Sequence, residues 1–247
     1  MNVGKLPENV LKLSVLQQLR AKNSEVKNGA GIGEDCAVFS IENGRFPVMC
    51  AAESPVTRKT AVGKNDTYCM TMEQLIQKCV NNLAIAGAVP VAVNITLLLP
   101  METEHEMLRE LMEEADCACR SLSIQIAGGQ SRILKELGIP VAVVNGYGKA
   151  DAFYNRTTKM AKPDQDLVLS KWVGLQGTSY LAARYDERLK GHYPGYLVET
   201  AKKFDQYLSV TAEAYCALQN GVSAMHDASE GGIMAALWEL AQGAGVG

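Results

Sequence analysis

Net charge is nearly absent from this chain: 24 lysines and arginines stand against 27 acids over 247 residues, a net of −3, with no basic block. Nucleic acid is therefore a poor partner for it, because phosphate backbones are gripped by clustered cations. Long apolar runs are lacking as well. The longest hydrophobic strip, Val89 to Leu99, is broken by Pro90 and Asn94, and the opening Met1-Asn2-Val3-Gly4-Lys5-Leu6-Pro7 has no uninterrupted apolar core. Neither a signal peptide nor a membrane span is read here, and a cytoplasmic enzyme or binding protein is expected. The cysteines at positions 36, 50, 69, 79, 117, 119 and 216 lack paired metal-ligand spacing and fall mostly inside apolar runs. They read as reduced core residues, with Cys117 and Cys119 on different faces of one helix. No tandem repeat or low-complexity tract is present. Apolar residues, by contrast, make up 47% of the chain, enough to bury the core of one large domain or two modest ones.

The most informative stretch is Gly31-Ile32-Gly33-Glu34-Asp35-Cys36-Ala37-Val38-Phe39. Gly31 and Gly33 let main-chain N–H groups approach an anion, while Glu34 and Asp35 face a cation, a combination suited to a metal-bound phosphate. The same residues also suit a plain strand-entry turn with a solvated acidic pair. Around the loop, apolar strands alternate with amphipathic helices. An opening helix follows Pro7, and Val48 to Ala52 is a short buried strand that delivers Glu53 at its end. A helix over Met72 to Ala86 stops at Gly87, and a strand covers Val91 to Leu99. The next helix takes Thr103 as N-cap and carries a Leu and Met stripe, and strands follow at Ile124 to Ala127 and Pro140 to Asn145. The first of these ends in a glycine-rich turn, Gly128-Gly129-Gln130-Ser131.

A polar, aperiodic segment near Gly148 to Asp166 marks a domain boundary, giving one domain over 1–150 and a second over 151–247. The second opens with a strand, Leu167 to Trp172, followed by Gly174-Leu175-Gln176-Gly177-Thr178, whose threonine is placed to cap a helix. After a polar excursion through His192 and Pro194 comes a helix over Phe204 to Leu218. The strand Val222 to Asp227 then leads through Gly231-Gly232 into a helix over Ile233 to Gln242. The glycine turns near Gly177 and Gly231-Gly232 are candidate anion sites. Only part of a second sheet is accounted for, which points to a longer protein. His226 and Asp227 would face opposite sides of a strand, and His105 and His192 read as surface residues.

Four motifs, in order, carry a resemblance. They are the Gly31 to Phe39 loop, Asn81-Asn82-Leu83-Ala84-Ile85-Ala86-Gly87-Ala88-Val89-Pro90, Gly128-Gly129-Gln130-Ser131, and Met225-His226-Asp227-Ala228-Ser229-Glu230-Gly231-Gly232. Nearly the whole chain thus resembles the aminoimidazole ribonucleotide (AIR) synthetase superfamily, and is most similar to its hydrogenase maturation branch, typified by the expression/formation protein HypE. The resemblance implies a two-domain α+β, PurM-like fold and a homodimer whose N-terminal strands share a barrel. It also implies ATP with Mg2+ between the domains, phosphorylating an amide or carbamoyl-type oxygen, with hydrogenase maturation proteins as partners. Carried over residue by residue, it assigns Gly31, Gly33, Glu34, Asp35, Asn82, Gly128, Gly129, Gln130, Asp227, Gly231 and Gly232 to the nucleotide site, and Glu34, Asp35 and Glu53 to the metal.

The chain also departs from the family pattern. Asn81-Asn82 stands where the family has Asn-Asp, Gln130 where it has Asp or His, and Glu53 where it has Asp. Amide oxygens can ligate a cation but lack the charge that offsets its desolvation, so the resemblance implies weakened Mg-ATP binding. A cysteine at the C-terminal tail, which would carry the cyanide donor, is absent from this sequence. Two further readings stand beside the HypE-like enzyme. One is a homologue that binds a nucleotide or phosphate without turnover; the other is a kinase resembling thiamine-monophosphate kinase.

Overall fold

In the computed structural model, which describes residues 26–28, 36–39, 45–64, 67–151 and 158–246 together with positions 9, 12, 13, 16 and 31, six strands form one mixed sheet. In chain order they are β1 (Val26–Asn28), β2 (Cys36–Phe39), β3 (Arg45–Pro55), β4 (Val89–Leu99), β5 (Gln125–Ile133) and β6 (Val141–Asp151). Across the sheet the order is β1-β2-β3-β6-β4-β5, antiparallel throughout except for the parallel pair β4 and β5. That pair requires a crossover, which helix α2 (His105–Ser121) supplies. The expected opening helix, apart from positions 9, 12, 13 and 16, and the loop residues Gly33, Glu34 and Asp35 lie outside the described residues.

Helix α1 (Met72–Ile85) is locally well specified. Thr71 and Gln74 form a capping box, Thr71 Oγ1 accepting from Gln74 N at 3.2 Å and Gln74 Oε1 from Thr71 N at 3.1 Å. Gly87 ends it as expected, its N–H on Ala84 O at 2.9 Å and that of Ala88 on Leu83 O at 2.9 Å. Leu75, Ile76, Cys79 and Leu83 on α1, and Leu111 and Ala115 on α2, pack on the sheet face formed by Val48, Ala52, Val93, Ile95, Leu97, Ala142 and Val144. Burying each of the larger side chains contributes about 1.5–3 kcal/mol, so this single layer of helix on sheet anchors the N-terminal half. Cys36, Cys50, Cys69, Cys79 and Cys119 are buried, while Cys117 and Cys216 are exposed.

Several local expectations are corrected. Glu53 lies inside β3 rather than at its end, and Gly128-Gly129-Gln130-Ser131 is the middle of β5 rather than a turn, because all four residues pair in register with Asn94 to Leu97. Glu104, not Thr103, occupies the N-cap of α2, and it makes no side-chain cap.

After Asp151 the described residues are helical: α3 (Leu175–Arg184), α4 (Asp186–Lys190), α5 (Gly195–Lys202), α6 (Thr211–Gln219) and α7 (Gly232–Ala244), with short 3-10 turns at Thr158–Met160 and Phe204–Tyr207. The runs Leu167 to Trp172 and Val222 to Asp227 pair with no strand among the described residues, so they do not form the expected ladder. Leu167, Val168 and Trp172 are consequently exposed. Thr178 sits within α3, whose N-cap is Gly174, and the polar excursion contains α4 and α5. The helix expected over Phe204 to Leu218 is interrupted at 208–210, for a reason that emerges at the site.

Candidate functional site between helix α1 and the Glu230 turn

Helix α1 faces the C-terminal half with Gln77, Lys78, Asn81 and Asn82. Lys78 Nζ pairs with Glu230 Oε1 at 3.2 Å, which holds the turn before α7 against α1. Asn82 lies four residues on, one turn further along the same helical face. Its main-chain oxygen accepts from Cys36 Sγ at 3.2 Å, so the helix touches the first residue of β2, directly after the acidic loop. Asn82 is 5% exposed, and its side-chain oxygen has no hydrogen-bond partner among the described residues. A buried orphan acceptor costs about 1–3 kcal/mol, a penalty that a cation or a donor arriving with a ligand removes.

The turn opposite is shaped by Gly231 and Gly232, whose φ values of 79° and 65° suit residues without a Cβ. Both are exposed at the start of the 13-residue helix α7, whose N-terminus carries a partial positive charge; the Gly232 N–H is donated to Ser229 O at 3.1 Å. Asp227 stands just before this turn. His226 Nδ1 lies 2.8 Å from Asp227 O, and its Nε2 lies 3.5 Å from Glu239 Oε2, which turns the ring toward α7. The structure thus brings Asn82, the exit of the Gly31 loop and the Asp227 to Gly232 turn into one neighbourhood.

Glu53 and Gln130 are elsewhere. Glu53 pairs with Val143, Val143 with Thr96, and Thr96 with Gln130, so both expected site residues occupy one cross-strand row. That row lies on the sheet face turned away from α1, since Ala52, Ser54 and Val144 are the buried neighbours. Both side chains are exposed, and three strand spacings, about 14 Å, separate them. Gly128 lies on the same open face, its would-be Cβ 3.1 Å from Asn94 Oδ1. Within one chain neither Glu53 nor Gln130 joins Asn82. Among the described residues, no group of three or more histidines, cysteines or acids is gathered to hold a metal.

The sequence reading missed two residues. Asn81 is spent on the main chain of the C-terminal half: its Nδ2 donates to Leu208 O at 2.7 Å, and its Oδ1 accepts from Val210 N at 3.0 Å. From the other side, Lys171 Nζ donates to Tyr207 O at 3.1 Å and to Ser209 O. These contacts capture the polar main-chain groups that a continuous helix over Phe204 to Leu218 would pair internally. Lys78 was likewise unremarkable in the sequence. Its spacing to Asn82 was visible, but nothing in it named a partner 152 residues away.

Two family models match the chain: AIR synthase related protein, N-terminal domain, over residues 33–150, and AIR synthase related protein, C-terminal domain, over residues 162–247. The chain belongs to the AIR synthase-related family. Among curated relatives, this AIR synthase-related protein is 25% identical over 235 residues to phosphoribosylformylglycinamidine synthase subunit PurL of Parvibaculum lavamentivorans, covering 88% of the chain and 30% of that protein. It is 27% identical over 228 residues to the same subunit of Mesorhizobium japonicum, covering 87% and 29%. It therefore spans under a third of the curated relatives it matches. Solved structures share its fold. A HypE–HypF complex matches with a TM-score of 0.69 at 16% identity, covering 95% of this chain and 70% of that one. AaThiL complexed with AMPPCP and TMP matches at 0.70 and 14% identity, covering 99% and 74%. The hydrogenase maturation protein HypE in complex with ATP matches at 0.62 and 15% identity, covering 98% and 67%. No described helix is long and apolar enough to cross a membrane.

Proposed function

We propose that this AIR synthase-related protein binds ATP in the cleft between α1 and the Asp227 to Gly232 turn. There it acts as a HypE-like enzyme, phosphorylating an amide or carbamoyl-type oxygen with a weakened metal site. The observation that carries the reading is the buried Asn82 oxygen, which has no hydrogen-bond partner among the described residues and lies one helical turn from the Lys78 to Glu230 contact. Family membership and the fold shared with ATP-bound HypE and AMPPCP-bound AaThiL support it. The first-turn main-chain donors of α7, after the Gly232 N–H that Ser229 O takes, receive the phosphates, as helix N-termini do. Mg2+ bound with the nucleotide would neutralise phosphate charge. In this reading Asn82 supplies one neutral oxygen to it, beside Glu34 and Asp35 of the loop.

Glu53 and Gln130 enter through a homodimer, in which a second copy covers the open sheet face. Hydrogenase maturation proteins are the proposed partners, by likeness to the HypE–HypF complex. Nucleotide binding without turnover is the second reading. It is favoured by the neutral side chain at Asn82 and by the lack of an acid cluster among the described residues.

Calorimetric titration with ATP, with and without Mg2+, paired with phosphate release, separates these readings. Binding with release supports the enzyme, binding alone supports the second reading, and no binding sinks both. Asn82→Asp places an unpaired charge in a buried site, so the free protein should melt lower, while Mg2+-dependent ATP affinity should rise about tenfold, or about 1.4 kcal/mol. An unchanged Mg2+ dependence would remove Asn82 from the site.

A further inference from the structure

The Asn81 carboxamide uses its donor and its acceptor on main-chain groups two residues apart. Nδ2 holds Leu208 O at 2.7 Å and Oδ1 holds Val210 N at 3.0 Å, while Gln77 Nε2, one turn back on α1, donates to the same oxygen at 2.9 Å. The residue is 7% exposed, so these bonds are largely withdrawn from competing water. A carboxamide presents an acceptor oxygen and N–H donors from one planar head, the same pair of groups a peptide unit offers, which lets it take the place of a neighbouring backbone. The captured segment cannot easily turn elsewhere, because Lys171 binds Tyr207 O and Ser209 O and pairs with Glu213 at 2.8 Å.

The two partners belong to different family-model regions, α1 to 33–150 and segment 208–210 to 162–247. Further contacts join these regions among the described residues. The Lys78 to Glu230 pair has its glutamate side chain 53% exposed, and exposed pairs contribute little. Arg184 Nη1 reaches Gly63 O at 3.2 Å, and Tyr68 meets Tyr180 edge to face at 4.8 Å between ring centres. Asn81 also adjoins Asn82, so any shift of 208–210 against α1 alters the cleft.

We propose that Asn81 is a positioning residue: its two-way grip on 208–210 sets how closely the 162–247 region approaches α1, and with it the gap between Asn82 and the Gly231-Gly232 turn. The consequence for ligand affinity rests on the nucleotide reading above. The grip itself does not.

The test uses the whole chain and its own cysteines. Cys117 on α2 and Cys216 on α6 are exposed and the other five are buried, so spin labels attach to one residue in each region. The distance distribution between them is measured by pulsed electron paramagnetic resonance without nucleotide. The native chain should give a narrow distribution. Asn81→Asp keeps shape and acceptor but sets a carboxylate oxygen against Leu208 O, so it should broaden and lengthen the distribution, as should Asn81→Ala. In Asn81→Asp whose Lys78 to Glu230 amide has been verified by peptide mapping after carbodiimide coupling, the distribution should narrow again, because the link joins the two regions directly.

ATP affinity of Asn81→Asp should fall about tenfold and recover with the coupling. A changed distance with no ATP binding to the native chain would leave the grip standing and remove the nucleotide reading. A native-like distance in folded Asn81→Ala overturns the proposal. So does fast hydrogen exchange at the Val210 N–H of the native chain, a measurement that needs no variant.

Discussion

At the scale of single residues, the close approach of β4 and β5 depends on Gly129. A Cβ there would lie 1.9 Å from Ile95 O, a backbone atom that cannot swing aside, so Gly129→Ala must push the parallel pair apart. The expected loss is about 3 kcal/mol in urea unfolding, while Gly138→Ala, with nothing within 4 Å, should change nothing. A native-like midpoint for Gly129→Ala would show that the edge strand yields without cost. Burial divides the thiols in a similar way. The Cys119 thiol is pushed up to about 11 by burial, with Asp116 nearby adding to the effect, so it stays protonated where the exposed Cys117 and Cys216 can react. Asn82 is the opposite kind of buried group, a polar oxygen with no hydrogen-bond partner among the described residues. Its burial could not be read from the sequence, where Asn81 and Asn82 look alike and only the fold gives one a backbone to hold.

At the scale of elements, α1 was legible because its instructions are local: a capping box, an apolar stripe and a terminal glycine agree over seventeen consecutive positions, Thr71 to Gly87. The helix expected over Phe204 to Leu218 was not, because Asn81 and Lys171, distant in sequence, take the main-chain groups of 207–210. Leu167 to Trp172 and Val222 to Asp227 have strand composition, yet a strand exists only with a ladder partner, and none is present among the described residues. Helices α4 and α5 were hidden for a related reason, since they are joined by charge rather than by an apolar stripe. Lys190 lies 3.0 Å from Asp186 and 2.8 Å from Glu199, and Lys202 lies 2.8 Å from Asp186 and 2.9 Å from Glu199. Lys202 first and then Lys190 hold the Asp186 carboxyl below its usual range, and Lys190 and then Lys202 do the same for Glu199. A carboxyl with a depressed folded value stabilises the fold above its unfolded value and loses that contribution as pH falls through the depressed one. Thermal melts should therefore show the packing of α4 on α5 weakening below the ordinary carboxylate range. The double variant Asp186→Asn, Glu199→Gln should flatten that part of the acid dependence, and an unaltered acid profile would show that the network carries no stability.

At the scale of the whole molecule, the sheet has one covered face and one open face. Helices α1 and α2 cover the first, while the second presents Glu53, Gln130, Thr96 and Val143 along one row, with Met49 and Val89 nearby and exposed. The proposed homodimer places a second copy there. Val143→Arg, on the central strand of that face, should convert the dimer to a monomer in sedimentation and weaken ATP binding if residues of both copies complete the site. A dimer that survives Val143→Arg would move the interface elsewhere.

The family was legible from four ordered motifs, and the α+β class through that resemblance, because the motifs are written in short-range spacing. Which site residues meet was not. Pairing register decides that Glu53 and Gln130 share a face and a row, and helix packing decides that Asn82 lies behind the sheet with the Gly231-Gly232 turn. The sequence alone determined the elements that close on themselves through neighbouring residues, the amphipathic stripes that must be buried and the glycines that permit sharp turns. Tertiary structure alone decided which polar groups are satisfied and which are left vacant, because a hydrogen bond such as Asn81 to Leu208 joins atoms 127 residues apart that become neighbours only once the chain has folded.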